Sequence, residues 1–424
     1  MAIYPKKYDV IVVGAGHAGC EAALAAARMG CDVLLMAIDL DKLAAMPCSP
    51  SIGGMAKGQL VKELDALGGE MAKITDKTAI SFRKLNTKKG PAVHSSRTQN
   101  DKIRYHIAMK AVVEAQPNLD LKQTKARKLA VEGGRVAGVE DHLGFGYPAR
   151  AVVLATGTFL SGLLHIGFNS FQAGRAGEFA SYGLANDLKN LGFEIGRLKT
   201  GTPPRLKKSS IDFSKFTVQE SDDDPTPFSC FTDTLQLPRL PCHIGHTNPR
   251  THEIARKNLE RSALYGGVIK GVSARYCPSF EDKIVRFPGK NQHQIILEPE
   301  GIDTQEIYAS GLGNSLPLEV QHELVRSVAG LEQAFPWRHV MGFREDRQPG
   351  HAPRQSARAG ALARGPRDLP GADREPRWLR VQREHQPPRR RPVAQARSPR
   401  ARAGKKRDTA LFLVWGHSTF FFNS

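Results

Sequence analysis

The stretch YDVIVVGAGHAGCEAALAAARMGCDVLLM (residues 8–36) decides the fold. Tyr8–Val13 is an apolar, β-branched run and reads as a buried parallel strand. Gly14, Ala15, Gly16, His17, Ala18 and Gly19 follow at once. An alanine-rich helix over about residues 17–29 comes next, closed by Gly30, and Cys31–Met36 is a second strand. This strand–turn–helix–strand context gives a G-x-G-x-x-G match its weight as a dinucleotide-binding turn. Gly14 permits the tight turn, Gly16 lets a pyrophosphate approach the backbone, and Gly19 lets helix and strand pack closely. The helix N-terminus then offers free N–H groups and a positive dipole end to the phosphates. The second strand should end in an acid for the ribose hydroxyls, but it runs Met36-Ala37-Ile38-Asp39. Asp39, slightly further on, or another group takes that role.

Working outward, AVVLATGTFLSG (151–162) is a further apolar strand and returns to the same sheet. Such a return is a feature of two-dinucleotide flavoproteins. Leu119–Leu121, Ala130–Val131 and Val136–Val139 read as short strands of a small β layer with a Gly133-Gly134 turn. The 424 residues suffice for two or three domains. The net charge is +19, and it is unevenly placed. Arg338–Ser424 holds 18 Arg and 2 Lys against 7 acids, so most of the excess sits there. The rest of the chain is modestly basic, which suits an anionic partner or mere solubility. The six cysteines are scattered with no C-x-x-C pair, and Cys242, His243 and His246 lack the second pair that a metal site needs. No run approaches a membrane helix, and the N-terminus has no signal-peptide layout. A reducing, cytoplasmic setting with free thiols is expected.

Several stretches carry chemistry. AAMPCSPSIGGMAKGQLVKELDALGG (44–69) sets Cys48 in a loop before Gly53-Gly54 and a helix at about 57–67. Lys57 and a nearby helix N-terminus suit a nucleophilic thiolate; a small buried thiol is the other reading. NTKKGPAVHSSRTQNDKIRYHIAMKA (86–111) is basic and reads either as an RNA path or as a solvated loop and amphipathic helix. GRLKTGTPPRL (196–206) reads as a crossover between domains. In YGGVIKGVSARYCPSFEDKIVRF (265–287), Arg275 and Lys283 would favour a Cys277 thiolate if they fold near it. NQHQIILEPEG (291–301) reads as a strand ending in an acidic turn.

Taken together, GAGHAGCEAALAAARMG, PCSPSIGGMAKGQLVKELDALGG, LNTKKGPAV, GRLKTGTPPR, HTN, ARYCPSFEDK and NQHQIILEPEG resemble the FAD-dependent tRNA uridine-5-carboxymethylaminomethyl modification enzymes, the glucose-inhibited division protein A family. The resemblance covers about residues 5–334. It implies an α/β two-dinucleotide flavoprotein, with a parallel-sheet FAD domain (1–199) and an inserted α/β NADH-binding domain (200–305). Residues 306–335 would begin the return to the FAD domain, and 336–424 would be a disordered basic tail outside the family pattern. The resemblance also implies the reaction. With a GTP-binding partner protein, and as a homodimer, such enzymes install an aminomethyl-type group on C5 of the tRNA wobble uridine. NADH reduces the flavin and methylenetetrahydrofolate donates the carbon. Cys48 and Cys277 match the family's two implicated cysteines. The Gly14–Gly19 turn, Ala126 and Ser181 match FAD-contact positions. The nicotinamide nucleotide segment corresponds to Ser273, Ala274, Arg275, Tyr276, Pro278, Ser279, Phe280, Glu281, Asp282, Lys283, Ile284, Val285, Arg286 and Phe287. A folate- and FAD-dependent tRNA uridine methyltransferase is the alternative enzyme, and a non-catalytic flavin- or RNA-binding protein the alternative of another class.

After SLPLEVQHELVRSVAGLEQA (315–334), an amphipathic helix with a glycine stop, the texture changes. Residues 338–407 are rich in Arg, Pro, Ala, Gly and Gln, a composition that cannot bury enough apolar surface to fold. The family motif GQI-x-x-x-x-GYE is missing there. Codons allowed for Gly371–Val381 (GADREPRWLRV), read from the second base of Gly371, can spell it, which points to a shifted reading frame. A natural RNA-binding arm is the competing reading, and the final ALFLVWGHSTFFFNS fits that poorly. Weak FAD retention and little tRNA modification are expected of this chain.

Overall fold

The computed structural model describes residues 2–235, 238–273 and 278–338, and the strands 342–349, 411–415 and 418–420. Strand Tyr8–Val13 lies in a parallel sheet between Val33–Ala37 and Phe145–Leu154, with Val12 opposite both Leu35 and Val153. Helix His17–Arg28 covers one face through Cys20, Ala23, Leu24 and Ala27. Its alanines keep the helix close to the sheet, and the chain leaves it through Gly30 at φ +88°. Helix Lys102–Glu114 joins the same core through Tyr105, Met109 and Val113. Asp101 starts it by accepting from the N–H groups of Ile103 and Arg104.

The opposite face is covered by strands Ala126–Glu132 and Arg135–Asp141 and helix Leu184–Asn190. The two strands are joined at Gly133 and Gly134, both at positive φ, as a tight hairpin of this hand requires. One expectation is corrected here. Residues 119–121 do not join this small layer: Leu119–Gln123 extends the main sheet, parallel to Val33–Ala37. Leu119 and Leu121 alternate onto the helix-covered core, which settles the strand there.

The second unit is a six-stranded sheet whose pairings are all antiparallel. Its order is Thr217–Gln219, Cys242–His246, Gln294–Pro299, Glu306–Ser310, Arg205–Lys207, Pro336–Arg338. Its core takes Ile254 of helix Pro249–Lys257, Phe280 and Ile284 of helix Phe280–Arg286, and Val320 and Leu324 of helix Leu318–Arg326. Ile307, Ala309, Leu312 and Leu316, from residues 306–335, are buried in this unit's core. Conversely, Phe228 lies in the first unit's core although it falls within 200–305. Across the stretch 196–206, Ile195–Thr200 belongs to a separate five-stranded sheet, and Arg205–Lys207 to the second unit.

Three strands fall in the tail 336–424 that was expected to be disordered, one of them within the stretch 338–407 that composition assigns no fold. Gly342–Pro349 pairs antiparallel with Ile195–Thr200, and Leu411–Trp415 runs parallel to Phe145–Leu154 with Ser418–Phe420 beside it. Leu411–Trp415 is an apolar run, and the free edge of Phe145–Leu154 is a slot such a run fills. The arginine-rich stretch 386–406 and the candidate shifted motif at 371–381 lie outside the described residues.

Candidate active site

The glycine turn sits at the C-terminal edge of the parallel sheet, where ligands bind in such folds. Its three glycines do three different things. Gly14 has φ +103°, and a Cβ there would lie 2.4 Å from the carbonyl oxygen of Ala155. A Cβ on Gly19 would lie 1.7 Å from the Gly14 carbonyl oxygen, so helix and turn touch only because Gly19 has no side chain. Gly16 meets nothing within 4 Å. It opens a helix whose first turn has no side-chain cap and no acid. Packing explains Gly14 and Gly19, whereas the space beside Gly16 is open to an approaching ligand. An anionic diphosphate fits this cradle of unshielded helix N–H groups. Ala15 contributes its carbonyl, which accepts from Ala44 N–H at 2.8 Å. His17 meets the edge of Tyr105 with ring centroids 5.4 Å apart. Ala126 and Ser181 are buried side by side at the same edge, Ser181 Oγ donating to the Ala126 carbonyl at 3.5 Å. Asp39, the expected ribose partner, accepts from Asp41 N–H at 2.8 Å and starts the turn Leu40–Lys42.

From the Ala44–Ala15 hydrogen bond the chain needs only four residues to reach Cys48, a span of at most about 14 Å. Cys48 is half-buried and faces a cleft of about 610 Å³ between the two units. Lys57 and Arg97 of the first unit and Lys283 of the second line it, with the backbone of Gly53, Gly54 and Gly311. The loop is shaped by Gly53 at φ +81°, where a Cβ would strike the Phe228 ring at 2.6 Å. Cys48 Sγ lies 3.5 Å from the Tyr308 hydroxyl and 3.9 Å from the Gly201 carbonyl oxygen.

The cleft is held by buried charge. Arg205 donates to the carbonyls of Pro47 and Cys48 at 2.9 and 2.5 Å and to Glu300 at 2.9 Å. Its guanidinium lies 4.8 Å above the Tyr308 ring. Lys102, at the start of its helix, bridges Glu300 and Glu306, and Arg338 pairs with Glu306 at 2.6 Å. Arg97 donates to the fully buried Glu298 at 2.5 Å, and Ser49 Oγ donates to the same carboxylate at 3.3 Å. Burial pushes the Glu298 and Glu300 carboxyls up, against the pull of Arg97 on the first and of Arg205 and Lys102 on the second. These pairs fasten the Cys48 loop and the Lys102 helix to the second unit.

The thiols differ. Cys20 and Cys242 are buried, and burial pushes each up to about 12. Burial, then Asp65, raises the exposed Cys230. Among the described residues no cluster of His, Cys, Asp and Glu is arranged to hold a metal ion, and Cys242, His243 and His246 form none.

The segment matched to a nicotinamide nucleotide divides. Ser273 ends a short strand beside Leu198 and Lys199; Ala274, Arg275, Tyr276 and Cys277 lie outside the described residues. Pro278, Ser279 and Lys283 line the cleft. Ser279 caps its helix in a reciprocal box with Asp282, and Asp282 pairs with Lys199. Phe280 and Ile284 are core, and Glu281 is buried against Ser262 and Ser315. Val285 and Phe287 are exposed, as is the Arg286 side chain. Sequence reading missed Tyr308, Arg205 and Glu298 as site residues, while Arg97 stood in the basic stretch read as an RNA path. Arg205 and Glu298 stood inside quoted motifs, and their burial would have marked them; Tyr308 carried no local sign.

The glucose inhibited division protein A family model matches residues 9–347. The tRNA uridine 5-carboxymethylaminomethyl modification enzyme MnmG of Syntrophobacter fumaroxidans is 65% identical over 340 residues, covering 80% of this chain and 53% of that protein. The enzyme of the same name from Geobacter sulfurreducens is 58% identical over 78% of this chain and 52% of its own length. The form I crystal structure of Aquifex aeolicus GidA matches with a TM-score of 0.77 at 50% identity, covering 81% of this chain and 58% of that one. The chain thus spans about half the length of the curated relatives it matches. The glycine cradle, the Cys48 cleft and these matches agree: the chain belongs to the glucose inhibited division protein A family.

Proposed function

We propose that this chain binds FAD on the Gly14–Gly19 cradle and modifies C5 of the wobble uridine of tRNA at the Cys48 cleft. NADH and methylenetetrahydrofolate are its co-substrates, a GTP-binding protein and a second copy of the chain its partners, and the cytoplasm its setting. The observation that carries this reading is the half-buried Cys48 thiol facing a cleft with Lys57, Arg97 and Lys283, within chain reach of the cradle. The names of the relatives, tRNA uridine modification enzymes, support the substrate class. The flavin, when bound, supplies the hydride relay between NADH and the one-carbon unit.

The chain's own residues bind and activate. Lys57, Arg97 and Lys283 attract an anionic backbone to the cleft mouth. A thiolate at Cys48 or Cys277 adds to C6 of the uracil and makes C5 nucleophilic, or it carries the methylene; both roles remain in the proposal. The buried Arg205–Glu300 pair keeps the Cys48 backbone in place while substrate enters. The test supplies FAD, NADH, methylenetetrahydrofolate, tRNA, GTP and the partner protein, then analyses tRNA nucleosides by mass spectrometry. Modified uridine should form with the native chain at a low level, in keeping with its altered C-terminus, and not at all with Cys48→Ser or Cys277→Ser. Modification at the native level by both serine variants would overturn the assignment.

A further inference from the structure

We infer that the Tyr308 hydroxyl is the hydrogen-bond donor that stabilises the Cys48 thiolate, with Arg205 holding both groups in register. The inference rests on the reading of Cys48 as a nucleophile and adds a residue to that site.

The geometry is specific. Cys48 and Tyr308 are 260 residues apart, on different units, yet Sγ and the phenol oxygen are 3.5 Å apart. Tyr308 is 4% exposed, so its hydroxyl faces the thiol and the cleft wall instead of bulk solvent. Its strand, Glu306–Ser310, is central in the second sheet, paired on both sides, which fixes the ring. The Arg205 guanidinium lies over that ring at 4.8 Å from its centroid and donates to the carbonyls of Pro47 and Cys48 with the same side chain. One buried guanidinium therefore sets the thiol and the phenol relative to each other.

The chemistry assigns the donor. While Cys48 is a thiol, its S–H can reach the Gly201 carbonyl at 3.9 Å. Loss of that proton to the open cleft leaves sulfur with acceptor capacity only, and the Gly201 carbonyl no longer helps it. The phenol is then the one group of the pair that still carries a proton to donate. Burial, and the neighbouring Cys48, push the Tyr308 phenol well above its ordinary range, so it stays protonated when the thiol ionises.

The test reads the thiol directly. Alkylation of Cys48 by iodoacetamide is followed by peptide mass spectrometry from about pH 6 to pH 10, in the full chain and in Tyr308→Phe. Loss of a hydrogen bond to a charged group should raise the alkylation midpoint by about one to two pH units. The exposed Cys230 serves as the fold control, with its midpoint unchanged in the variant. A second variant bears one ring fluorine on Tyr308; it keeps the shape, strengthens the donor and should lower the midpoint. A Cys48 midpoint unmoved in both variants overturns the inference, as does a rise with fluorine. Turnover of Cys48→Ser, measured separately, tests the nucleophile reading, so the two ideas fail independently.

Discussion

The glycine cradle and the Cys48 cleft are built in opposite ways. The cradle is written in six consecutive residues, and each glycine answers a local demand of sterics or of ligand approach. The cleft gathers Cys48, Arg97, Gly201, Arg205, Glu298 and Tyr308 from both units and depends on buried ion pairs to keep them together. A local site should fail through steric change at one residue, and a gathered site through loss of charge far from the thiol.

The largest effect is expected at the cradle. Gly19→Val puts atoms where the Gly14 carbonyl oxygen stands, 1.7 Å from the Cβ position. The helix must move off the sheet, so the variant should be recovered mainly as aggregate, with no FAD binding in a fluorescence titration. A soluble, FAD-binding Gly19→Val would break the local half of the comparison. Next is Arg205→Ala, which leaves Glu300 buried with Lys102 as its remaining partner. Removing one member of a buried ion pair costs about 3 kcal/mol, read as a lower denaturant midpoint. The variant should also free the Cys48 loop while leaving the cradle's FAD affinity within about twofold, since the sites lie on different supports.

A smaller effect concerns acid. His252 and His293 stack with ring centroids 5.1 Å apart in the second unit, and Thr247 Oγ1 lies 2.7 Å from His252 Nε2. Burial, then Arg256, depresses His252 below 6.5; burial, then His252 and the lysines 283 and 290, depresses His293. Depressed folded values mean the unfolded chain binds protons more readily. The stability from this pair is therefore fully present above pH 6.5 and is lost as pH falls through the folded values. Thermal melts between pH 7.5 and pH 5 should fall, and His252→Gln should flatten that slope (about one protonation fewer). An unchanged slope would remove the histidines from the account.

How much of this was legible in the sequence follows from the same contrast. The strand Tyr8–Val13, the helix at His17 and the Gly133-Gly134 hairpin were readable because period, glycine placement and sheet pairing act over a few residues. The packing of residues 306–335 was not legible because the partners of Ile307 and Leu316 are strands and helices far away in the chain. Cys48 was visible as a residue type in a loop; its neighbours Tyr308 and Arg205 were not, since only the folded sheet brings them to it. The strand Gly342–Pro349 shows the limit of composition, which averages a short paired segment into its arginine- and proline-rich surroundings.

The smallest change in the molecule gives the most direct test. A Cβ at Gly16 meets nothing within 4 Å, so Gly16→Val should still fold, at a cost of about 1 kcal/mol for a β-branched residue at this helix N-cap, while filling the space a diphosphate would need. FAD titrated into the native chain, followed by flavin fluorescence, should give saturable if weak binding, and folded Gly16→Val, its fold checked by a cooperative melt, should bind at least about tenfold more weakly. Equal FAD binding by the two proteins would contradict the central claim that Gly14–Gly19 is a built dinucleotide site.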